Sequence, residues 1–281
     1  MPNVDLARYF ESVGISLGIN LSELKESDSG AIFQAFLTLP ENQRSRVEAD
    51  FQDINALAFD GGVKALVDEA RFHEKNDSFA SIIAEIKGLH SKVMWAFLEK
   101  KSYWLGASMF LHADSISPSF WRKRIDIPPA APCVEENDTD ELADAISNYF
   151  HTKEGKGRNC KVDVYRRGNK EYFFAYPEGF AQSTVEWISN TLETRTRHPA
   201  FEIIFVYCED KHSLDICAPK NTKVIPVLQR LFAHTILKLE TLPGGAFHKP
   251  AYNVDSLDDT KFEFTKPFNS KISGIVVTHL R

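Results

Sequence analysis

A chain of 281 residues with a hydrophobic fraction of 43 % and 21 phenylalanines can bury a sizeable core, which excludes disorder for most of its length. Its net charge of −6 hides a change of sign: residues 1–152 hold 14 Lys+Arg against 24 Asp+Glu, and residues 153–281 hold 19 against 15. The longest apolar runs, such as Ile203–Cys208, fall far short of the roughly 20 residues that cross a bilayer, so no membrane role is expected.

The first half carries helical periodicity. Leu6, Phe10 and Val13 form one short amphipathic segment, and Ala31, Ile32, Ala35, Phe36 and Leu39 form a second that ends at Pro40. Pro40-Glu41-Asn42 suits a helix start, because proline is tolerated in a first turn and acids favour the positive end of the helix dipole. The helix it opens carries Val47, Phe51, Ile54 and Leu57, and Gly61-Gly62 is expected to break it. Val63, Leu66, Val67 and Ala70 mark the next helix. Ser78 is the expected cap of another with Phe79, Ile82, Ile83 and Ile86, and a last segment runs from Val93 to Phe110 with a break near Ser102. Trp121-Arg122-Lys123-Arg124 reads as the basic end of a helix. The result is a compact array of five to seven helices.

Residues 125–139, with three prolines and an acidic cluster, read as a linker. Asp140–His151 is again helical, with Thr139 or Asp140 as its expected cap. The pattern then turns to strands. Cys160–Tyr165 alternates, Arg167-Gly168-Asn169-Lys170 is a turn, and Glu171–Tyr176 returns. Thr184–Ile188 is a short strand, Phe201–Cys208 is apolar on both faces like a central strand, and Ser213–Ala218 pairs with it. A helix from Asn221 or Thr222 reaches Leu239 before Pro243-Gly244-Gly245, and Lys261–Thr265 and Ile272–His279 are further strands. The fold class is α+β: an N-terminal all-helical module (1–124), a Pro-rich linker (125–139), and a basic α+β domain (140–281) with a mostly antiparallel sheet and one long packed helix.

The start, Met-Pro-Asn-Val-Asp, shows no basic region before an apolar stretch, so no signal peptide is read and a cytoplasmic location is expected. The end follows directly on an apolar strand, which suits either a true terminal strand or a piece of a longer protein. Cys208 and Cys217 could face each other across a hairpin. Without a secretion signal, Cys133, Cys160, Cys208 and Cys217 are read instead as buried free thiols.

The one feature that suggests chemistry is the basic, aromatic stretch 153–176. Lys156, Arg158, Lys161, Arg166 and Arg167 are candidate phosphate contacts, and Tyr172 and Tyr176 are candidate stacking faces for nucleic acid. The competing reading buries those rings in the core and turns the basic face toward the acidic helical half. A metal-dependent nuclease would need Asp163, Glu171 and Lys161 to converge. Glu209-Asp210-Lys211 lies in a turn, and the nine histidines are scattered, so no metal is expected. No glycine-rich nucleotide motif or nucleophile elbow occurs, and no cofactor is expected. The balance falls on a non-enzymatic subunit or adaptor with a protein partner or self-association. Nucleic-acid binding or metal-dependent processing by the hairpin is the alternative.

Overall fold

The computed structural model describes residues 1–74, 77–188, 190–218 and 222–243. The expected strands at 261–265 and 272–279, and the Gly244-Gly245 break, lie outside the described residues. The chain is α+β, with helices followed by an antiparallel sheet that carries packed helices.

Seven helices come first: α1 (Asn3–Val13), α2 (Ser29–Leu37), α3 (Glu41–Leu57), α4 (Asp60–His73), α5 (Ser78–Glu85), α6 (Leu89–Glu99) and α7 (Lys101–Ser115). Their apolar stripes meet in one core around Tyr9, Ile54, Leu66, Phe79, Val93 and Met94, each under 3 % exposed. Two details differ from the sequence reading. Gly61 and Gly62 do not break a helix but lie in the first turn of α4. A side chain at Gly62 would collide with the Leu57 carbonyl, so glycine lets α4 begin directly after α3. Ser78 is not a cap but the first residue of α5, and its hydroxyl donates to Glu74 Oε2 at 2.8 Å. The last segment divides at Lys100, where the backbone leaves the helical region (φ −140°, ψ 52°).

Trp121–Arg124 is a strand, β1, rather than a helix end. It pairs antiparallel with a later strand, and Arg124, 6 % exposed, reaches Asp126, Gln229 and the Pro243 carbonyl. The proline-rich stretch that follows is held at three points. Ile127 N–H donates to His212 O, Cys133 N–H donates to Ile236 O, and Ala130 O accepts from the Tyr207 hydroxyl. Helix α8 (Glu136–Glu154) then begins earlier than expected, after Glu135 at its N-cap position, so that Thr139 lies inside it.

Among the described residues, strands β2 (Val162–Arg167), β3 (Lys170–Ala175), β6 (Ile203–Cys208) and β7 (Ser213–Cys217) complete a five-stranded sheet in the order β1-β7-β6-β3-β2. Between them, β4 (Gln182–Ile188) and β5 (Thr191–Arg197) form a separate two-stranded hairpin. Helix α9 (Ile225–Thr235) follows a single 3-10 turn, with Pro226 in its first turn. The central β6 is buried along its whole length. Ile203, Phe205 and Tyr207 face α8 and α9, while Ile204 and Val206 face the end of α7. The sheet is therefore covered on both sides, which explains a strand without polar alternation. Cys208 lies opposite Ser213 and Cys217 opposite Ile204, so the two sulfurs do not meet, and all four cysteines are free. Among the described residues, no helix is long and apolar enough to cross a membrane.

Candidate functional site

The β2–β3 hairpin turns at Gly168, whose φ of +63° suits glycine. Strand alternation distributes its cations rather than collecting them. Asp163, Tyr165 and Arg167 lie on the face toward α7, and Val162, Val164 and Arg166 on the face toward α8 and α9. Lys156 sits at the far end of α8, 2.8 Å from Glu154 and 4.5 Å from the centre of the Phe201 ring. Arg158 is exposed, and its carbonyl accepts from Ser147 Oγ. Lys161 pairs with Asp163 at 2.9 Å and Arg166 with Glu171 at 3.2 Å. Glu171 points to the face opposite Asp163, so those carboxylates do not converge.

The two aromatic candidates lie in a seam between the halves. Tyr172 is 6 % exposed and meets Phe110 of α7 edge to face at 5.0 Å. The Tyr176 hydroxyl lies 3.9 Å from Met109 Sδ. Burial pushes the Tyr165, Tyr172 and Tyr176 phenols up from their ordinary range, with nearby carboxylates adding to the effect. Arg167 closes the seam. Its guanidinium lies 2.9 Å from Asp114, 4.0 Å from Asp68 and 5.3 Å from the Phe110 ring centre. The basic hairpin thus spends its tip and its rings on the acidic helical half of its own chain.

Beneath the seam is a group that sequence reasoning passed over. Glu69 of α4 is 5 % exposed. One carboxylate oxygen lies 2.9 Å from His73 Nε2, and the other has no hydrogen-bond partner. Burial raises its pKa, opposed by His73 and Arg167. Gly106 of α7 makes room for it, since a side chain there would overlap Glu69 Oε1. The legible signals were Glu69 and His73 four residues apart and a glycine within the α7 pattern. On the outer side, Lys100 Nζ, Ser78 Oγ and Tyr103 Oη donate to Glu74, which holds its carboxyl down at about 2. Among the described residues, no group of three or more His, Cys, Asp or Glu could hold a metal ion.

Among the described residues, the β4–β5 arm is the most exposed part of the two sheets. Register places Trp187 opposite Leu192 and Val185 opposite Thr194. Trp187 is 74 % exposed, with Val185 and Leu192 beside it on the same open face. The other face carries Glu186, Glu193, Arg195 and Arg197, and Arg197 pairs with Glu186. The base is tied down by the Gly179 N–H donating to Pro199 O at 2.7 Å. Within the described sheets both outer edges of the arm are unpaired. Comparison with known proteins returned no matching family model and no matching curated protein.

Proposed function

We propose that the protein is a non-enzymatic subunit or adaptor of a larger intracellular assembly, and that the β4–β5 arm is its contact with a protein partner. The observation that carries this reading is Trp187, a large ring left 74 % exposed on a projecting hairpin. Tryptophan is enriched among residues that dominate protein interfaces, and a two-stranded hairpin alone is marginally stable in water. The partner that fits best is an extended segment with apolar side chains at alternate positions. Such a segment adds to one free edge and covers Trp187, Val185 and Leu192. Site-specific photo-crosslinking from position 187, with position 158 as an exposed control, tests it in cells. A defined protein adduct at 187 alone supports the reading. Adducts to nucleic acid, or equal labelling at both positions, would count against it.

A second reading, nucleic-acid binding or processing by residues 153–176, draws on the exposed Arg158, Lys161 and Arg166. It competes with the ion pairs of Lys161 and Arg166 and with the inward turn of Arg167 and Tyr172. A filter-binding titration at two salt concentrations decides: tight, steeply salt-dependent binding favours the second reading. The same proposal divides the chain into an acidic helical unit and a basic α+β unit about residues 125–139. Limited proteolysis that leaves two resistant fragments supports that division.

A further inference from the structure

A groove opens between α1, α2 and α3, with a volume of about 560 Å3. Its floor is apolar: Leu6, Phe10, Ile32, Phe36, Val47 and Phe51. One wall is unusual. Helix α2 reads Ser-Gly-Ala-Ile-Phe-Gln-Ala-Phe-Leu and carries no charge, yet only Ala35 in it is buried. Phe33 is 57 % exposed and Leu37, one turn on, is 43 % exposed. A helix this apolar gains little from folding while it faces water, so its outer side is built to be covered.

The opposite rim sets the charge of what covers it. Glu48, Gln52 and Asn55 follow one another at helical spacing along α3. Glu26, also at the groove, is already committed, accepting the Asn3 N–H with both carboxylate oxygens. Glu48 lies 3.9 Å from Arg44, which is itself engaged by Glu41. Residues 1–57 hold nine acidic and four basic side chains. An acidic surround with an apolar floor favours an occupant that is apolar on one face and cationic on its flanks.

We propose that the α1–α2–α3 groove docks a basic amphipathic helix of a partner protein, with apolar anchors over Ile32, Phe33 and Phe36 and lysines or arginines toward Glu48. A helix suits the groove because side chains at i, i+3, i+4 and i+7 enter a furrow between helices, while the exposed row of Phe33 and Leu37 extends the contact past the cavity. This surface is separate from the β4–β5 arm, and either can fail without the other.

The test uses the full chain and a fluorescein-labelled model helix of about 16 residues, with leucines at i, i+3, i+4 and i+7 and lysines elsewhere. Fluorescence anisotropy should show saturable one-to-one binding. A helix with glutamates for the lysines, and a scrambled one without the apolar stripe, should each bind at least about tenfold more weakly. Phe33→Ser and Glu48→Lys should each cost about tenfold in affinity. Ile82→Ser, at an exposed apolar position on α5 away from the groove, should change nothing. Circular dichroism and the thermal midpoint confirm that each variant is folded. Equal binding of the acidic helix, or unchanged affinity in both groove variants, overturns the proposal. So does a dimer of the free chain that Phe33→Ser dissolves, since a second copy would then be the occupant.

Discussion

Arg167, at the tip of the basic hairpin, reaches across the seam to Asp114, at the end of α7, with Nη1 and Oδ2 2.9 Å apart. The two halves of opposite charge therefore meet within one chain, and the same guanidinium covers the Phe110 ring at 5.3 Å. Arg167 is about one third exposed and Asp114 more than half, so the ion pair itself contributes little. Arg167→Ala should cost about 1 kcal/mol, and Arg167→Met, which keeps an apolar stem on Phe110, should cost less. Chemical denaturation at low and high salt checks this: the ionic part of the loss shrinks with salt, and the packing part does not.

Phe205 tests the sheet from its centre. It is fully buried on β6, lies opposite Phe173, and stacks on Phe232 of α9 at 5.2 Å. Phe205→Ala leaves a cavity between two rigid elements and should cost roughly 3–5 kcal/mol in denaturant unfolding. A loss below about 1 kcal/mol would show that the site collapses freely.

Much of this was legible in the residues. The helical spacing in the first half, the doubly apolar β6 and the β2–β3 turn all declared themselves, because burial on one stripe or on both faces leaves a periodic trace. What was illegible has physical causes. Strand β5, Thr-Leu-Glu-Thr-Arg-Thr-Arg, is exposed along its whole length, so nothing imposes an apolar alternation on it. Strand β1 reads Trp-Arg-Lys-Arg, and only its pairing with β7 makes it a strand. At the basic hairpin the composition marked a cluster of cations. It could not show that alternation sends Arg166 and Arg167 to opposite faces and that α7 covers Tyr172.

Gly106 and Glu69 should be coupled. Gly106→Ala drives a methyl group into the Glu69 carboxylate and should cost about 1–3 kcal/mol. Glu69→Ala removes the obstructing atoms, so the cost of Gly106→Ala in that background should fall to near zero. A double-mutant cycle measures it, and additive losses would show that α4 and α7 move apart instead of clashing.

Glu69 also makes a prediction about pH. Burial raises its pKa above the ordinary value of 4.5, against the opposing pull of His73 on the same helix and Arg167 of β2. From β2 the Tyr165 phenol also feels the Glu69 carboxylate, and Asp163 lies on the same face of that strand. A carboxyl whose pKa is raised by folding binds more protons folded than unfolded, so its contribution is most favourable below the unfolded value. That contribution is lost as pH climbs through the folded one. Glu69→Gln removes the titration while keeping an acceptor for His73 at the same place. The variant should therefore gain on the wild type as pH rises from about 4 toward 8, and the gap should close again below the ordinary carboxylate range. Adding Arg167→Ala, which takes away the nearby positive charge, should steepen the wild-type decline and leave the Glu69→Gln curve without it. Urea midpoints measured across that range for the four proteins decide. A difference between wild type and Glu69→Gln that stays flat with pH, or that favours the wild type at neutral pH, would show that Glu69 is ionised and well paired in the fold.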